Sequence, residues 1–200
     1  MTAPRVRLLV AAFPPELAGL DAAPPPGWVV ACIGVGAISA AVETARLLAL
    51  HAPERVLFVG TCGAYDARLA PGDLIAASVA TATSVEELAG RAYRPPAERN
   101  SWPSTWALPL PHHAVAVPPA ITVTEEGARA LAQVGPAEHL ELTGIFAACA
   151  AAGAPVAAAL AVANRVGRDA HAEWRANHAQ VSRALVAALQ DLRAFGEVAP

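Results

Sequence analysis

Lysine is absent from the 200-residue sequence; all 14 basic residues are arginine. Schiff-base chemistry, a P-loop lysine and a lysine general base are thereby excluded. Aromatic residues are scarce at 5% and charged residues at 16%, against 55% hydrophobic residues dominated by alanine. A chain of this length buries a sizeable core without disulfides or metals, and here that core must be built from small side chains. No excess of one charge exists either: the net charge is −3, with no run of like charges. This speaks against phosphate neutralisation on a nucleic acid and against a polybasic membrane anchor. Cysteine is limited to Cys32, Cys62 and Cys149, without CxxC spacing. They read as reduced thiols of a cytoplasmic protein.

Long apolar runs are few. The segment from Arg5 to Pro15 is short and ends in Pro14-Pro15, so a buried first strand suits it better than a signal peptide. The stretch Gly144–Ala163 carries no charge, but Gly153 and Pro155 cut it in the middle. A helix followed by a buried strand explains it better than a membrane span.

Short apolar segments bounded by Gly, Pro or charge predict strands at Val6–Ala12, Trp28–Ile33, Arg55–Val59, Leu74–Ser78, Ala114–Val117 and Val156–Val162. Helical patterns lie between them at Ile38–His51, Glu125–Gln133, Glu141–Ala152 and Ala170–Phe195, with Thr124 as an N-cap. The alternation implies a single α/β domain over 1–200 with a mostly parallel sheet. Arg91–Pro119 is the exception, holding seven of the 18 prolines with Trp102 and Trp106. It reads as a long loop, and as a possible lid with one of these tryptophans over a ligand.

Two glycine-rich turns carry the first chemical signal. Gly34-Val-Gly36 follows a strand and opens a helix, where free backbone N–H groups suit an anion or a sugar hydroxyl. Close packing in a tight turn is the competing reading. Gly60-Thr61-Cys62-Gly63 ends a strand with a hydroxyl and bare backbone at the carboxyl edge of a sheet, where α/β folds bind ligands. Pro71-Gly72-Asp73 then turns the chain. His112-His113 offers no metal site, because adjacent residues on an extended segment face opposite ways and no third ligand is spaced to help. No cofactor is called for.

Gly-Thr-Cys-Gly followed by Pro-Gly-Asp-Leu-Ile resembles the nucleoside phosphorylase and nucleosidase superfamily. The Gly34–Thr44 turn and helix, Ala12-Phe-Pro-Pro-Glu16, Leu140-Glu141, and Ala163-Asn-Arg-Val through Ala176-Asn-His178 extend the resemblance in the family's order. It lapses over roughly 80–115. It implies a mixed, twisted central sheet flanked by helices, a homodimer or homotrimer, and a purine nucleoside as the small-molecule ligand. Residue by residue, it implies that Glu141 accepts the ribose 2′- and 3′-hydroxyls, that Asn164 contacts a departing 6-oxopurine, and that His178 lies near the ribose 5′ group. Thr61, Cys62, Gly63, Gly34 and Gly36 would complete the binding site. Glu16 matches the glutamate that activates water in the hydrolytic branch. The phosphorylases carry a phosphate-binding arginine where this chain has Phe58, although Arg7, Arg91 or Arg94 could bring phosphate from another direction.

Blander readings stand beside each of these. Glu141 could serve only the helix macrodipole, Asn164 could close a turn on its own backbone, and Glu16 could start a surface helix behind Pro15. His171 and Trp174 read as packing or rim residues. Hydrolysis of a purine nucleoside is the leading expectation, phosphorolysis the alternative, and a non-catalytic nucleoside-binding protein the third.

Overall fold

A computed structural model describes residues 6–196. Strand β1 (Arg7–Ala11), helix α1 (Pro14–Leu17), strand β2 (Trp28–Cys32) and helix α2 (Ala37–His51) come first. Next are β3 (Val56–Ala64), β4 (Leu74–Ala82), α3 (Val85–Leu88), β5 (Ser101–Pro103), β6 (His112–Val117) and α4 (Glu125–Leu131). The chain ends with β7 (Ala137–Glu138), α5 (Leu142–Ala152), β8 (Val156–Arg165) and α6 (Ala170–Asp191).

The eight strands of the described residues join one mixed sheet, in the order β2-β1-β3-β7-β6-β4-β5, with β8 paired to both β3 and β4. These pairings close a ring, β3–β8–β4–β6–β7–β3, from which β1–β2 and β5 extend. The alternation of side chains along β1 and β3 builds two cores. Leu8, Val10, Val56 and Phe58 pack with Leu47, Leu142, Ile145 and Phe146 of α2 and α5. Leu9, Ala11, Leu57 and Val59 pack on the other face with Leu17 of α1 and Val181, Leu185 and Leu189 of α6. Five alanines on β8 let helices approach both sides of that strand closely, which is where the alanine excess of the composition resides.

The edges of the sheet hold one feature on which the site depends. β8 runs along one edge of β3 for its whole length. The opposite edge is shared: β1 pairs with it only as far as Phe58, and β7 only from Gly63 onward. Between them β3 has no strand partner on that side.

Every strand expected from the sequence is present, but β3 and β4 run several residues further than the apolar runs suggest. Their polar and glycine-rich continuations stay extended because β8 and β6 supply ladder partners. β5 and β7 were not anticipated; two or three residues are too few to carry a period. In the proline-rich segment, β5 pairs with β4, and the Trp106 Nε1–H donates to the Val56 carbonyl at 3.3 Å, at the start of β3.

Helices α2 and α5 cross at Gly144, where a Cβ would collide with the carbonyl oxygen of Ala37. Because the obstacle is backbone at the start of α2, it cannot be relieved by a rotamer change. Gly144→Ala is therefore expected to destabilise the fold by about 2 kcal/mol or more, measured by urea unfolding. Wild-type stability in this variant would show that the two helices separate freely.

Candidate active site

A cavity of about 430 Å³ opens beside the carboxyl end of β3, where the strand lacks its partner. Its wall includes Phe13, Glu16, Thr61, Cys62, Gly63, Glu138, His139, Glu141, Asn164 and Trp174, drawn from distant parts of the chain.

Glu16 fills the gap on the β3 edge. Phe13 caps the four-residue helix Pro14–Leu17, which is separated from β1 by two residues, has Pro at its start and turns Glu16 inward. Its Oε1 accepts the Thr61 backbone N–H at 2.8 Å and the Thr61 hydroxyl at 2.7 Å. Oε2 accepts the Ala12 N–H at 3.3 Å. The carboxylate thus replaces the missing strand as acceptor for the β3 backbone. It is 3% exposed, and among the described residues no cation pairs with it. Burial pushes its pKa up to about 7, the bonds from Thr61 oppose the rise, and Glu141 adds to it.

Glu141 immediately precedes α5 and is also buried. Its Oε1 accepts the Gly36 N–H at 2.7 Å, so the N–H of the residue that caps α2 is spent on this carboxylate. His139 lies edge-on to Phe58, with ring centroids 5.1 Å apart. Its Nδ1 is 3.1 Å from the Glu141 backbone N–H and 3.2 Å from Glu141 Oε2. Burial lowers the His139 pKa more than Glu141 raises it, which favours the neutral ring, and the Glu141 backbone N–H points at Nδ1. Glu138 is the third carboxyl on the wall. It accepts the Tyr65 hydroxyl at 2.8 Å and the Thr122 N–H at 3.1 Å, and burial raises its pKa.

Asn164 owes its direction to a bulge. The β3–β8 register runs Cys62↔Val162 and then Gly63↔Asn164, leaving Ala163 as the extra residue. A bulge of this kind re-aims the side chain that follows it. Asn177 of α6 holds the bulge by donating to the Ala163 carbonyl at 2.9 Å. Asn164 Nδ2 donates to the Arg165 carbonyl at 2.9 Å, leaving one N–H and the carbonyl of its amide for other partners. Gly63 makes room for it: a Cβ there would lie 3.1 Å from Asn164 Nδ2 and 2.7 Å from Val166 Cγ2.

The structure brings Glu16, Thr61, Cys62, Gly63, Glu141 and Asn164 to one cavity and places the other expected site residues away from its wall. Gly34 and Gly36 do not line it; Gly36 acts on it through Glu141. His178 stacks behind Trp174, 4.3 Å between centroids, rather than on the wall. No residue of 91–119 lines the cavity, because Trp106 is held at the opposite end of β3 and Trp102 packs under α2 and α5. The aromatic wall is instead Phe13 and Trp174, 5.8 Å apart, with Trp174 Nε1–H donating to Thr61 Oγ1 at 3.0 Å. Sequence reasoning also passed over Glu138 and His139. The available signal was the polar run Glu138-His139-Leu140-Glu141 directly before an uncharged helix.

Residues 27–143 match the family described as "Phosphorylase superfamily", and the chain belongs to that superfamily. No curated protein matches it. Among solved structures it is similar to the 5′-methylthioadenosine/S-adenosylhomocysteine nucleosidase of Helicobacter pylori, with a TM-score of 0.84 at 14% identity over 97% of this chain and 100% of that one. The futalosine hydrolase of Helicobacter pylori is also similar, with a TM-score of 0.82 at 14% identity over 96% and 98%. A nucleosidase from Colwellia psychrerythraea solved with adenine gives 0.77 at 18% identity over 95% and 96%. These are likenesses of fold.

The raised pKa of Glu16 has a thermodynamic consequence. Below pH about 4.5 the folded and unfolded chains both hold the proton; between about 4.5 and 7 only the folded chain keeps it. Stability therefore falls as pH rises through that window and is level above it, a loss of roughly 3 kcal/mol at 1.36 kcal/mol per unit. Glu16→Gln cannot ionise, so urea unfolding at pH 5 and pH 8 is expected to show a clearly larger loss in the wild type than in the variant, which keeps the raised titration of Glu138. Equal losses in both proteins would show that Glu16 is not the buried titrating group.

Proposed function

We propose that this protein is a nucleosidase that cleaves the N-glycosidic bond of a purine nucleoside with water. The observation that carries the reading is Glu16, a buried carboxylate with no paired cation, in a cavity whose described wall holds three carboxyls and no arginine. The transition state of glycoside cleavage is cationic at the sugar, and these carboxylates favour it. The same charges repel phosphate. The arginines that could have brought phosphate are engaged elsewhere: Arg7 with the carbonyls of Pro26, Phe195 and Gly196, Arg91 with Glu86, and Arg94 with Glu87 and Glu98.

In this reading ionised Glu16 takes a proton from the attacking water. Glu141, anchored on Gly36, accepts the ribose hydroxyls with its remaining lone pairs. Asn164 faces the base, its free N–H toward O6 and its carbonyl toward a protonated N7 of a 6-oxopurine. A 6-aminopurine would set donor against donor, a mismatch of ~1–3 kcal/mol when buried. The compounds that the similar enzymes are named for, 5′-methylthioadenosine and S-adenosylhomocysteine in one case and futalosine in the other, are the candidate substrates to compare.

We also propose self-association through α2. Val35, two residues before this helix, and Ile38 and Val42 on its first turns are 62%, 83% and 67% exposed, and Val35 reaches the cavity. A second copy of the chain would cover this apolar strip and narrow the cavity mouth.

The reading is tested with inosine and adenosine. Inosine is expected to have the higher kcat/KM, by roughly tenfold to a hundredfold, and Asn164→Asp to narrow or invert the ratio. Glu141→Gln should keep the fold and lower kcat by about a hundredfold or more. Freed base at wild-type rates from the Glu141 variant would refute the site. For the interface, Ile38→Asp is expected to reduce the solution mass measured by light scattering to that of a single chain; an unchanged mass would place the contact elsewhere.

A further inference from the structure

Trp174 lines the cavity, and its polar edge is engaged by Thr61 of the same wall. Its Nε1–H donates to Thr61 Oγ1 at 3.0 Å, and Thr61 Oγ1 lies 2.7 Å from Glu16 Oε1. An indole nitrogen only donates, and a threonine hydroxyl has a single proton. With one lone pair taken by Trp174, that proton points at Glu16. The chain of bonds therefore has one direction: Trp174 to Thr61 to Glu16.

We propose that Trp174 is a positioning residue for Glu16, holding the Thr61 hydroxyl as a donor so that Oε1 is saturated and Oε2 is the atom that takes the proton. Oε1 accepts both the hydroxyl and the backbone N–H of Thr61, whereas Oε2 has only the long 3.3 Å bond from Ala12. The inference rests on the reading of Glu16 as the base that activates water. It adds a residue that the sequence marks only as a packing position, and it explains how a buried carboxylate remains ionisable near neutral pH: two donors on one oxygen oppose the desolvation.

Other titratable groups around Glu16 are accounted for. Glu141 approaches from the start of α5, Cys62 from β3 and Cys32 from β2, while Glu138 of β7 and the adjacent His139 share the cavity wall; burial raises the pKa of Glu138 and of both thiols and lowers that of His139. From α6, His171 and His178 stack on the two faces of Trp174, at 5.9 and 4.3 Å, and both interplanar angles are 14°. Trp174→Phe keeps an aromatic ring in this stack and removes only the N–H donor and the larger ring.

The test compares the wild type with Trp174→Phe, Thr61→Val and the double variant in kcat/KM against pH. Loss of the donor leaves ionised Glu16 less stabilised, so the acid limb of Trp174→Phe should move to higher pH by roughly half a unit to one unit. Because Trp174 acts through Thr61, the double variant should match Thr61→Val alone. A residue that merely packs would change KM or stability and leave the limb in place. The same titration is read without turnover from the 13C NMR carboxyl resonance of Glu16, so an inactive variant still gives a result. An unmoved carboxyl titration in folded Trp174→Phe, or shifts that add in the double variant, would overturn the proposal. Wild-type turnover by Glu16→Gln would instead overturn the reading of Glu16 as the base, whatever Trp174 does to its ionisation.

Discussion

The site depends on a gap in the hydrogen bonding of one strand edge. β1 leaves β3 after Phe58 and β7 joins only at Gly63, so the backbone N–H of Thr61 needs an acceptor that no strand supplies. A buried donor left unpaired costs about 1–3 kcal/mol. Glu16 meets that need with a carboxylate, and no cation among the described residues neutralises it. The fold thus tolerates a carboxyl whose pKa is pushed up to about 7 because the same group completes the sheet. Structure and chemistry are served by the same two oxygens.

The other parts of the site are held by equally local constraints. Glu141 is tied to the residue that caps α2, and the close crossing at Gly144 brings α2 and α5 together so that this tie can form. Asn164 is aimed by the Ala163 bulge, which Asn177 clamps from α6. Glu16, Glu138, His139, Glu141 and Asn164 are thus each tied to backbone by a hydrogen bond. An arrangement of this kind is preorganised: little must move when a charged transition state forms. The helices that carry these contacts pack on opposite faces of the sheet, and the alanines of β8 let both faces come close.

Much of this was legible in the sequence. The six longer strands and four longer helices follow from apolar runs and their punctuation, and the Thr124 cap is present, accepting the Gly127 N–H at 3.1 Å. Glu16, Thr61, Glu141 and Asn164 were picked out by ordered motifs, and they converge in space. What escaped was whatever depended on tertiary closure. Strands of two or three residues have no period to read, and β7 exists only because Glu138 and Ala137 meet β3 and β6. Trp174 on a polar helix looked like packing, while Trp106 in a proline-rich loop looked like a lid. Position along β3 separates the two, since Trp106 bonds to Val56 at its beginning and Trp174 to Thr61 in its second half. Gly36 was read as facing a ligand; its N–H was already promised to a side chain 105 positions away.

The chain belongs to a superfamily that is named for phosphorolysis, yet the cavity is lined with carboxyls and lacks arginine among its described residues. The central claim is that water, and not phosphate, accepts the sugar. The most direct measurement is NMR of the products formed from inosine in phosphate buffer above pH 7, with 1H spectra for the sugar and 31P spectra for its ester. The account predicts hypoxanthine and free ribose, at a rate that phosphate does not change, and no new phosphorus resonance. Accumulation of ribose 1-phosphate in step with the freed base would contradict it.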